Sequence, residues 1–261
     1  MTIETLVSAV SENVTELAGK MNLETNSIIV NQCNRNEYEE YEFCSHKIKC
    51  YSFFERGVGL SRNNALLRAS ADIILFSDED IVYDKGYAKE VVKAFEERPH
   101  ADMLLFNMEV GKERATYHTE KEFRVHRYNC GRYPTYSFGV RREKLRKANI
   151  AFSLLFGGGA KYSNGEDSIF IRDCLKNNFK VYAVPVCLGK EVERPSTWFQ
   201  GYTKKFFFDR GVLYQCLYGF LAKPLALRYL IRHKSLLFNN KQTITFREAY
   251  TIMKKGMKEW K

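Results

Sequence analysis

The feature that most constrains the fold is an apolar run that ends abruptly in carboxylates. Ile73-Ile74-Leu75-Phe76 passes straight into Ser77-Asp78-Glu79-Asp80. A short continuous apolar run bounded by polar residues reads as a strand covered on both faces, as in the parallel sheets of α/β proteins. Ionised carboxylates avoid apolar surroundings, so these three mark the mouth of the sheet rather than its interior. Open α/β sheets bind ligands just beyond the carboxyl ends of their strands. Asp78-x-Asp80 then admits two readings. One is a solvated turn. The other is a divalent cation site, because alternate residues of an extended chain face the same way and Glu79 turns aside. Hard carboxylate oxygens suit Mg²⁺ or Mn²⁺, and Mg²⁺ often shares one or two carboxylates with substrate phosphates.

The flanking segments supply the rest of such a sheet. Glu4 to Val10 predicts a strand, and Val14, Leu17, Ala18 and Met21 are spaced for a helix. Ser27 to Asn31 is a second buried strand, which completes a βαβ unit. Lys47 to Phe54 is a third strand, whereas acidic and aromatic Glu37 to Glu42 predicts an exposed loop. Leu60 to Ala69 predicts a helix with Ser61 near its cap. Gly57, Gly59 and Arg62 around that helix start suit an anionic phosphate, although an ordinary surface helix with a solvated Arg62 fits the same residues. After the strand Asp72–Phe76, Tyr87 to Arg98 is an amphipathic helix stopped by Pro99, and Ala101 to Val110 is another strand.

Gly111 to Tyr133 is polar, basic and unassigned, and His118 and His126 within it have no partner spacing. Tyr136 to Arg141 predicts a strand, Arg142 to Ala148 a short helix, and Ile150 to Phe156 an extended run before the hinge Gly157-Gly158-Gly159. Asn164-Gly165-Glu166-Asp167 opens a helix from Ser168 to Lys176, and Phe179 to Pro185 is the last strand. Acidic residues in a first helical turn complement the helix dipole. A base held at the helix start, after a loop that can close on a substrate, fits the same pair.

Composition narrows the class. A chain of 261 residues with 45% hydrophobic content can bury one sizeable core, and 14% aromatic residues argue against disorder. No uncharged apolar run reaches the roughly 18 residues that a membrane span needs. The start, Met1-Thr2-Ile3-Glu4, has no secretory pattern, so a cytoplasmic protein is expected. Seven cysteines without zinc spacing read as free thiols of a reducing compartment.

The charge is uneven. From Lys204 to Lys261, 13 Lys and Arg face 3 Asp and Glu, so the whole net charge of +10 lies there. The body is balanced at 28 against 28. Leu213 to Leu230 is apolar with Tyr214, Tyr218 and Tyr229 interspersed, and Arg228, Arg232, His233 and Lys234 surround its end. This predicts one or two amphipathic helices suited to an anionic membrane surface, or else aromatics that pack on the main domain. Residues 1–195 are therefore read as the main domain and 196–261 as a basic, aromatic helical extension.

In their order these pieces resemble family 2 glycosyltransferases of the GT-A fold, from about Thr5 to Pro185. The resemblance rests on the βαβ opening, on Gly59-Leu60-Ser61-Arg62-Asn63-Asn64-Ala65-Leu66, and on the strand ending in Asp78-Glu79-Asp80. It rests also on Asn164-Gly165-Glu166-Asp167-Ser168-Ile169-Phe170 and on the following strand Lys180 to Pro185. It implies a Rossmann-like, mostly parallel sheet flanked by helices, a nucleotide-sugar donor, a divalent metal (Mn²⁺ or Mg²⁺) and inversion at the anomeric carbon. On that resemblance Asp80 and Asp78 would hold the metal against the donor diphosphate. Asp167 would be the base, with Glu166 positioning it or meeting the acceptor. Ser8, Asn31, Arg62 and Asn63 would lie on the donor side.

Two departures stand out. Leu6-Val7-Ser8-Ala9-Val10 replaces the family's Ile-Pro-Thr-Tyr-Asn, and no histidine lies between His126 and His233 to serve as a further metal ligand. Glu191, Glu193 or water are the substitutes. Arg194 to Trp198 loosely resembles the acceptor-side segment of bacterial polysaccharide transferases.

The expectation is a hexosyltransferase that moves a sugar, UDP-linked in the first instance, onto a glycan acceptor in surface polysaccharide biosynthesis. A lipid-linked acceptor on the inner membrane face would fit the basic tail. Three rivals remain. A nucleotidyltransferase shares the sheet and metal. A phosphohydrolase would want an Asp at the first strand, which ends in Val7-Ser8-Ala9. A basic nucleic-acid-binding module suits the tail but leaves the ordered carboxylates without a role, so no nucleic acid partner is expected.

Overall fold

The computed structural model describes residues 1–111, 117–192, 201–238 and 244–260. The chain divides into two compact units: Met1–Leu154 with Asp167–Pro195, and Leu155–Glu166 with Ser196–Lys261.

The first unit is an α/β sandwich. It begins with β1 (Ile3–Val10), α1 (Val14–Lys20), β2 (Asn26–Gln32), β3 (Glu37–Phe43), β4 (His46–Phe53) and α2 (Val58–Arg68). It continues through β5 (Ile73–Asp78), β6 (Ile81–Tyr83), α3 (Tyr87–Glu96), β7 (Met103–Glu109) and the two-residue β8 (Phe123–Arg124). β9 (Phe138–Arg141), α4 (Arg142–Ala148), α5 (Glu166–Lys176) and β10 (Val181–Glu191) close it. The strand order is β3-β4-β2-β1-β5-β9-β7-β10-β6, with β8 on β10. β4, β2, β1 and β5 run parallel, and β7 pairs in parallel with β10. β3, β9, β6 and β8 join antiparallel.

Side-chain alternation builds the layers. Ile73 and Leu75 of β5 face one apolar cluster with Leu17 of α1 and Val91 of α3. Ile74 and Phe76 face the other, with Ala65 of α2, Leu145 of α4 and Phe170 of α5. Helices on both faces are why β5 can be apolar throughout, and why its polar end marks the rim.

Four local expectations change. Glu37 to Glu42 is strand β3, not a loop. It is an edge strand in a hairpin turned by Cys44 and Ser45 at φ of 49° and 65°, the left-handed pair that such turns use. An edge strand keeps much of its surface in water, so its charges are tolerated there, and Lys47 meets Glu40 at 2.9 Å. Ser61 is not a cap: α2 starts at Val58 after Gly57, and Ser61 is buried inside the helix. Tyr136 to Arg141 is a strand only from Phe138 onward, after a short 3-10 turn over Thr135–Ser137. The last strand runs on past Pro185 to Glu191.

The second unit has its own helices: α6 (Lys204–Tyr218), α7 (Ala222–Arg232), α8 (Ser235–Phe238) and α9 (Phe246–Glu259). Its core gathers Phe206, Phe207, Ala226, Leu230, Met253 and Met257. α6 and α9 touch backbone to backbone through two glycines. A Cβ on Gly211 would stand 2.1 Å from the Met253 carbonyl oxygen, and one on Gly256 2.1 Å from that of Phe208. Inside the unit, buried Asp209 accepts from the Ser163 amide and hydroxyl, both at 2.9 Å. The tail is thus a helical unit with a core of its own, larger than the one or two surface helices expected. No helix among the described residues is long and apolar enough to cross a membrane.

Candidate functional site

The site forms where β1, β5 and α2 meet. The parallel register sets Ser8 of β1 beside Asp78 of β5. The Ser8 hydroxyl donates to the Ser61 hydroxyl at 2.8 Å, and Ser61 donates on to the Val30 carbonyl at 3.3 Å. Ser8 and Ser61 are both buried, so they stitch β1 and β2 to α2.

One residue later on the helix, Arg62 turns its guanidinium to Asp78, with Nη2 at 2.8 Å from Oδ1. Arg62 is not a solvated surface cation: its side chain is 6% exposed, against 28% for Asp78. A buried guanidinium needs a fixed counter-charge, and Asp78 supplies one. The guanidinium also lies over the Phe152 ring, 5.4 Å from its centroid, a favourable cation–π placement.

Phe152 is held from both sides. The Asn63 amide donates to the Phe152 carbonyl at 2.9 Å and accepts from its N–H at 2.7 Å. Gly59 permits the approach, since a Cβ there would fall 2.4 Å from the Ser153 carbonyl oxygen. The extended run from Ile150 is therefore pinned to a helix instead of a sheet. Phe152 then stacks on Phe170 at 4.1 Å with 9° between planes, and meets Phe76 edge-on at 5.2 Å. These three rings join β5, which carries Asp78, to α5, which carries Asp167. They also seat Arg62 of α2.

The remaining expected residues are distributed as follows. Asn31 is fully buried, and its amide accepts from the Glu12 N–H and donates to the Glu12 carbonyl, so it fixes the loop after β1. Glu79, Asp80, Glu166 and Asp167 are half-buried. The Asp80 carbonyl accepts from the Val192 N–H at 2.8 Å, and Glu191 pairs with Ile81 in the register of β10 with β6. Asp167 accepts from the Ser168 amide at 2.6 Å within the first turn of α5. Glu193 and the segment from Arg194 to Trp198 lie outside the described residues.

Among the described residues no three His, Cys, Asp or Glu side chains form a cluster able to hold a metal ion alone. The donor set still fits Mg²⁺ or Mn²⁺ in another way. Asp80 and Asp78 offer hard oxygens, and such cations commonly take one or two carboxylates and complete their shell with phosphate and water oxygens. Burial pushes the Cys130 thiol up to about 11 and that of Cys50 up to about 12, which keeps both protonated and inert at neutral pH. His118 and His126 are exposed surface residues.

Asn63 and Phe152 carry structural roles that the sequence did not signal, because their partners are distant along the chain. The resemblance sets Asn63 on the donor side, and nothing in the sequence points to Phe152.

The fold and this carboxylate-lined strand end define a GT-A glycosyltransferase. Residues 7–160 match the family described as glycosyl transferase family 2, and the chain belongs to that family. No curated protein sequence matches the chain closely. Among solved structures, S. aureus TarS residues 1–349 in complex with UDP-GlcNAc is similar at TM-score 0.61 and 18% identity, covering 90% of this chain and 73% of that one. The same protein in complex with UDP aligns at TM-score 0.59 and 17% identity, over 100% of this chain and 83% of that one. Mannosyltransferase PcManGT from Pyrobaculum calidifontis, in complex with GDP-Man and Mn²⁺, aligns at TM-score 0.50 and 12% identity, over 98% of this chain and 86% of that one.

Proposed function

We propose that this family 2 glycosyltransferase is an inverting, metal-dependent hexosyltransferase that uses a nucleotide-sugar. The observation that carries the reading is the Arg62–Asp78 pair at the end of β5, stitched through Ser61 to Ser8. It presets a polar floor at the carboxyl ends of parallel strands, where this sheet class binds nucleotides. A UDP-sugar is the first candidate donor, supported by the UDP and UDP-GlcNAc complexes of the similar TarS fold. The Mn²⁺ complex of PcManGT supports the metal.

In this reading Asp80 and Asp78 would hold a divalent cation, which would supply positive charge to offset that building on the leaving nucleoside diphosphate. Arg62 restrains the Asp78 carboxylate and keeps positive charge beside the diphosphate. Ser8 lines the nucleoside side, while Asn31 and Asn63 shape the donor pocket through the loops they anchor. Asp167 accepts the proton of the acceptor hydroxyl as its oxygen attacks the anomeric carbon on the face opposite the leaving group. Glu166 orients the acceptor beside it. Asn164 to Asp167, at the helix start, give the base a fixed backbone.

The first unit is then the catalytic domain and the basic helical unit an extension that serves the acceptor. Its concentrated positive charge supports an anionic, lipid-linked glycan acceptor on the inner membrane face, in surface polysaccharide synthesis.

Thermal unfolding with a nucleotide panel, with and without Mn²⁺, tests the reading, because a ligand of the native state raises the midpoint. A rise with UDP plus Mn²⁺ that EDTA reverses is expected. No rise with any nucleotide would overturn it. Release of pyrophosphate in place of nucleoside diphosphate would identify a nucleotidyltransferase.

A further inference from the structure

The helical unit leaves one side of α7 unfinished. Ala222, Ala226 and Leu230 recur every four residues and are buried in the unit's core. On another side stand Pro224, Leu227 and Ile231, at steps of three and four. That spacing makes a single helical stripe, and Phe220 sits just before the helix in the 3-10 turn Gly219–Leu221. The stripe and Phe220 face water: Phe220 is 90% exposed, Ile231 51% and Leu227 38%, and Pro224 is exposed as well.

The surroundings of the stripe are cationic. At about 100° per residue, the buried row centres near about 40° and the exposed apolar stripe near about 170°, counted from Ala222. On the same wheel Lys223 falls on one edge of the stripe, and Arg228 and Arg232 on the other; all three are exposed, as is Lys234 just past the helix. No Asp or Glu occurs between Asp209 and Glu248. Among the described residues, Asp209, Glu248 and Glu259 pair with Lys205, Lys204 and Lys161. None of these pairs involves the cations around the stripe.

We infer that this face of α7 is a docking surface for an anionic lipid bilayer. Phe220, Leu227 and Ile231 enter the acyl boundary, while Lys223, Arg228, Arg232 and Lys234 meet lipid phosphates. Charge complementarity selects this occupant. An apolar stripe flanked on both sides by cations and free of acids matches the layering of a membrane interface. A nucleic acid would use the cations but gain little from Ile231 and Leu227, because aromatic platforms carry single-strand stacking. The helix lies on the bilayer and does not span it, since α7 has only 11 residues. The inference rests on the membrane association proposed above and assigns it to named residues.

The test is co-sedimentation of the full chain with phosphatidylcholine vesicles, with and without phosphatidylglycerol. Binding is expected only with the anionic lipid, weakening as salt rises. Phe220→Ser with Ile231→Ser should lower the vesicle partition coefficient at least about tenfold. Arg228→Gln with Arg232→Gln should lower it roughly thirtyfold, at about fivefold per cation. The thermal midpoint of both double variants should stay at the wild-type value, which shows that they fold. No binding of wild type to anionic vesicles, or wild-type partition by both variants, would overturn the inference. So would loss of vesicle binding on adding single-stranded RNA that the apolar variant binds as well as wild type, which would assign the surface to nucleic acid. The nucleotide-dependent rise in midpoint reads the donor site separately, so failure of one reading is distinguishable from failure of the other.

Discussion

Arg62 and Arg228 carry the same guanidinium in opposite surroundings. Arg62 is buried between the Asp78 carboxylate and the Phe152 ring, with Asn63 locking that ring's backbone. Arg228 lies in water beside Leu227 and Ile231. In the sheet unit, aromatic and charged groups are paired with each other, so position is fixed before any ligand arrives. Such preorganisation is what an active site needs. On α7 the same groups are left for an outside partner. The contrast teaches that residue type alone does not separate a catalytic cradle from a docking face; the partners already in place do.

The largest effect should come from the proposed base. Asp167→Asn keeps the Oδ1 that accepts from Ser168 but loses basicity. It should lower kcat by about 10²- to 10⁴-fold while leaving donor binding unchanged, as read by nucleoside diphosphate release and by the nucleotide-induced midpoint shift. Wild-type turnover would place the base elsewhere.

Phe152→Ala removes the ring shared by Phe76, Phe170 and Arg62. A loss of about 3–5 kcal/mol is expected in denaturant unfolding, since Phe152 is buried. A loss under about 1 kcal/mol, the level of a surface change, would break the idea that this ring joins the site elements.

Arg62→Leu leaves Asp78 without its counter-charge. The cost should be about 2–3 kcal/mol, below that of a fully buried pair because Asp78 keeps 28% exposure. Asn63→Ala strips two hydrogen bonds from the Phe152 backbone and should cost about 1–3 kcal/mol. On the other side of the comparison, Ile231→Ser should change stability by no more than about 0.5 kcal/mol. A larger loss would show that Ile231 packs within the unit and is not a free face.

Much of the sheet unit was legible. Strands β2, β5 and β7 announce themselves by apolar runs, β1 by alternation, and α3 by its periodicity up to Pro99. β3 was not legible, because Glu37-Tyr38-Glu39-Glu40-Tyr41-Glu42 lacks the apolar face expected of a strand. Only its pairing with β4 at the sheet edge makes it one. The carboxylates at Asp78 and Asp80 and the acidic start of α5 could be seen, since each sits at a local transition from apolar to polar. Ser61 was misread as a cap because a hydroxyl near a helix start suits both that role and the buried bond it makes to Ser8.

The sequence alone therefore determined the order of the main strands and helices of the sheet unit, the strand end that carries the carboxylates and the segregation of positive charge into the last 58 residues. These depend on neighbours a few positions apart, where periodicity and composition act directly. Tertiary structure decided that Arg62 is buried on Asp78, that Asn63 serves Phe152, and that Phe76, Phe152 and Phe170 form one stack. It also decided which face of α7 fills a core and which is left to water. Those outcomes join residues far apart along the chain, and burial, which sets the worth of a charge or a ring, exists only once the chain has folded.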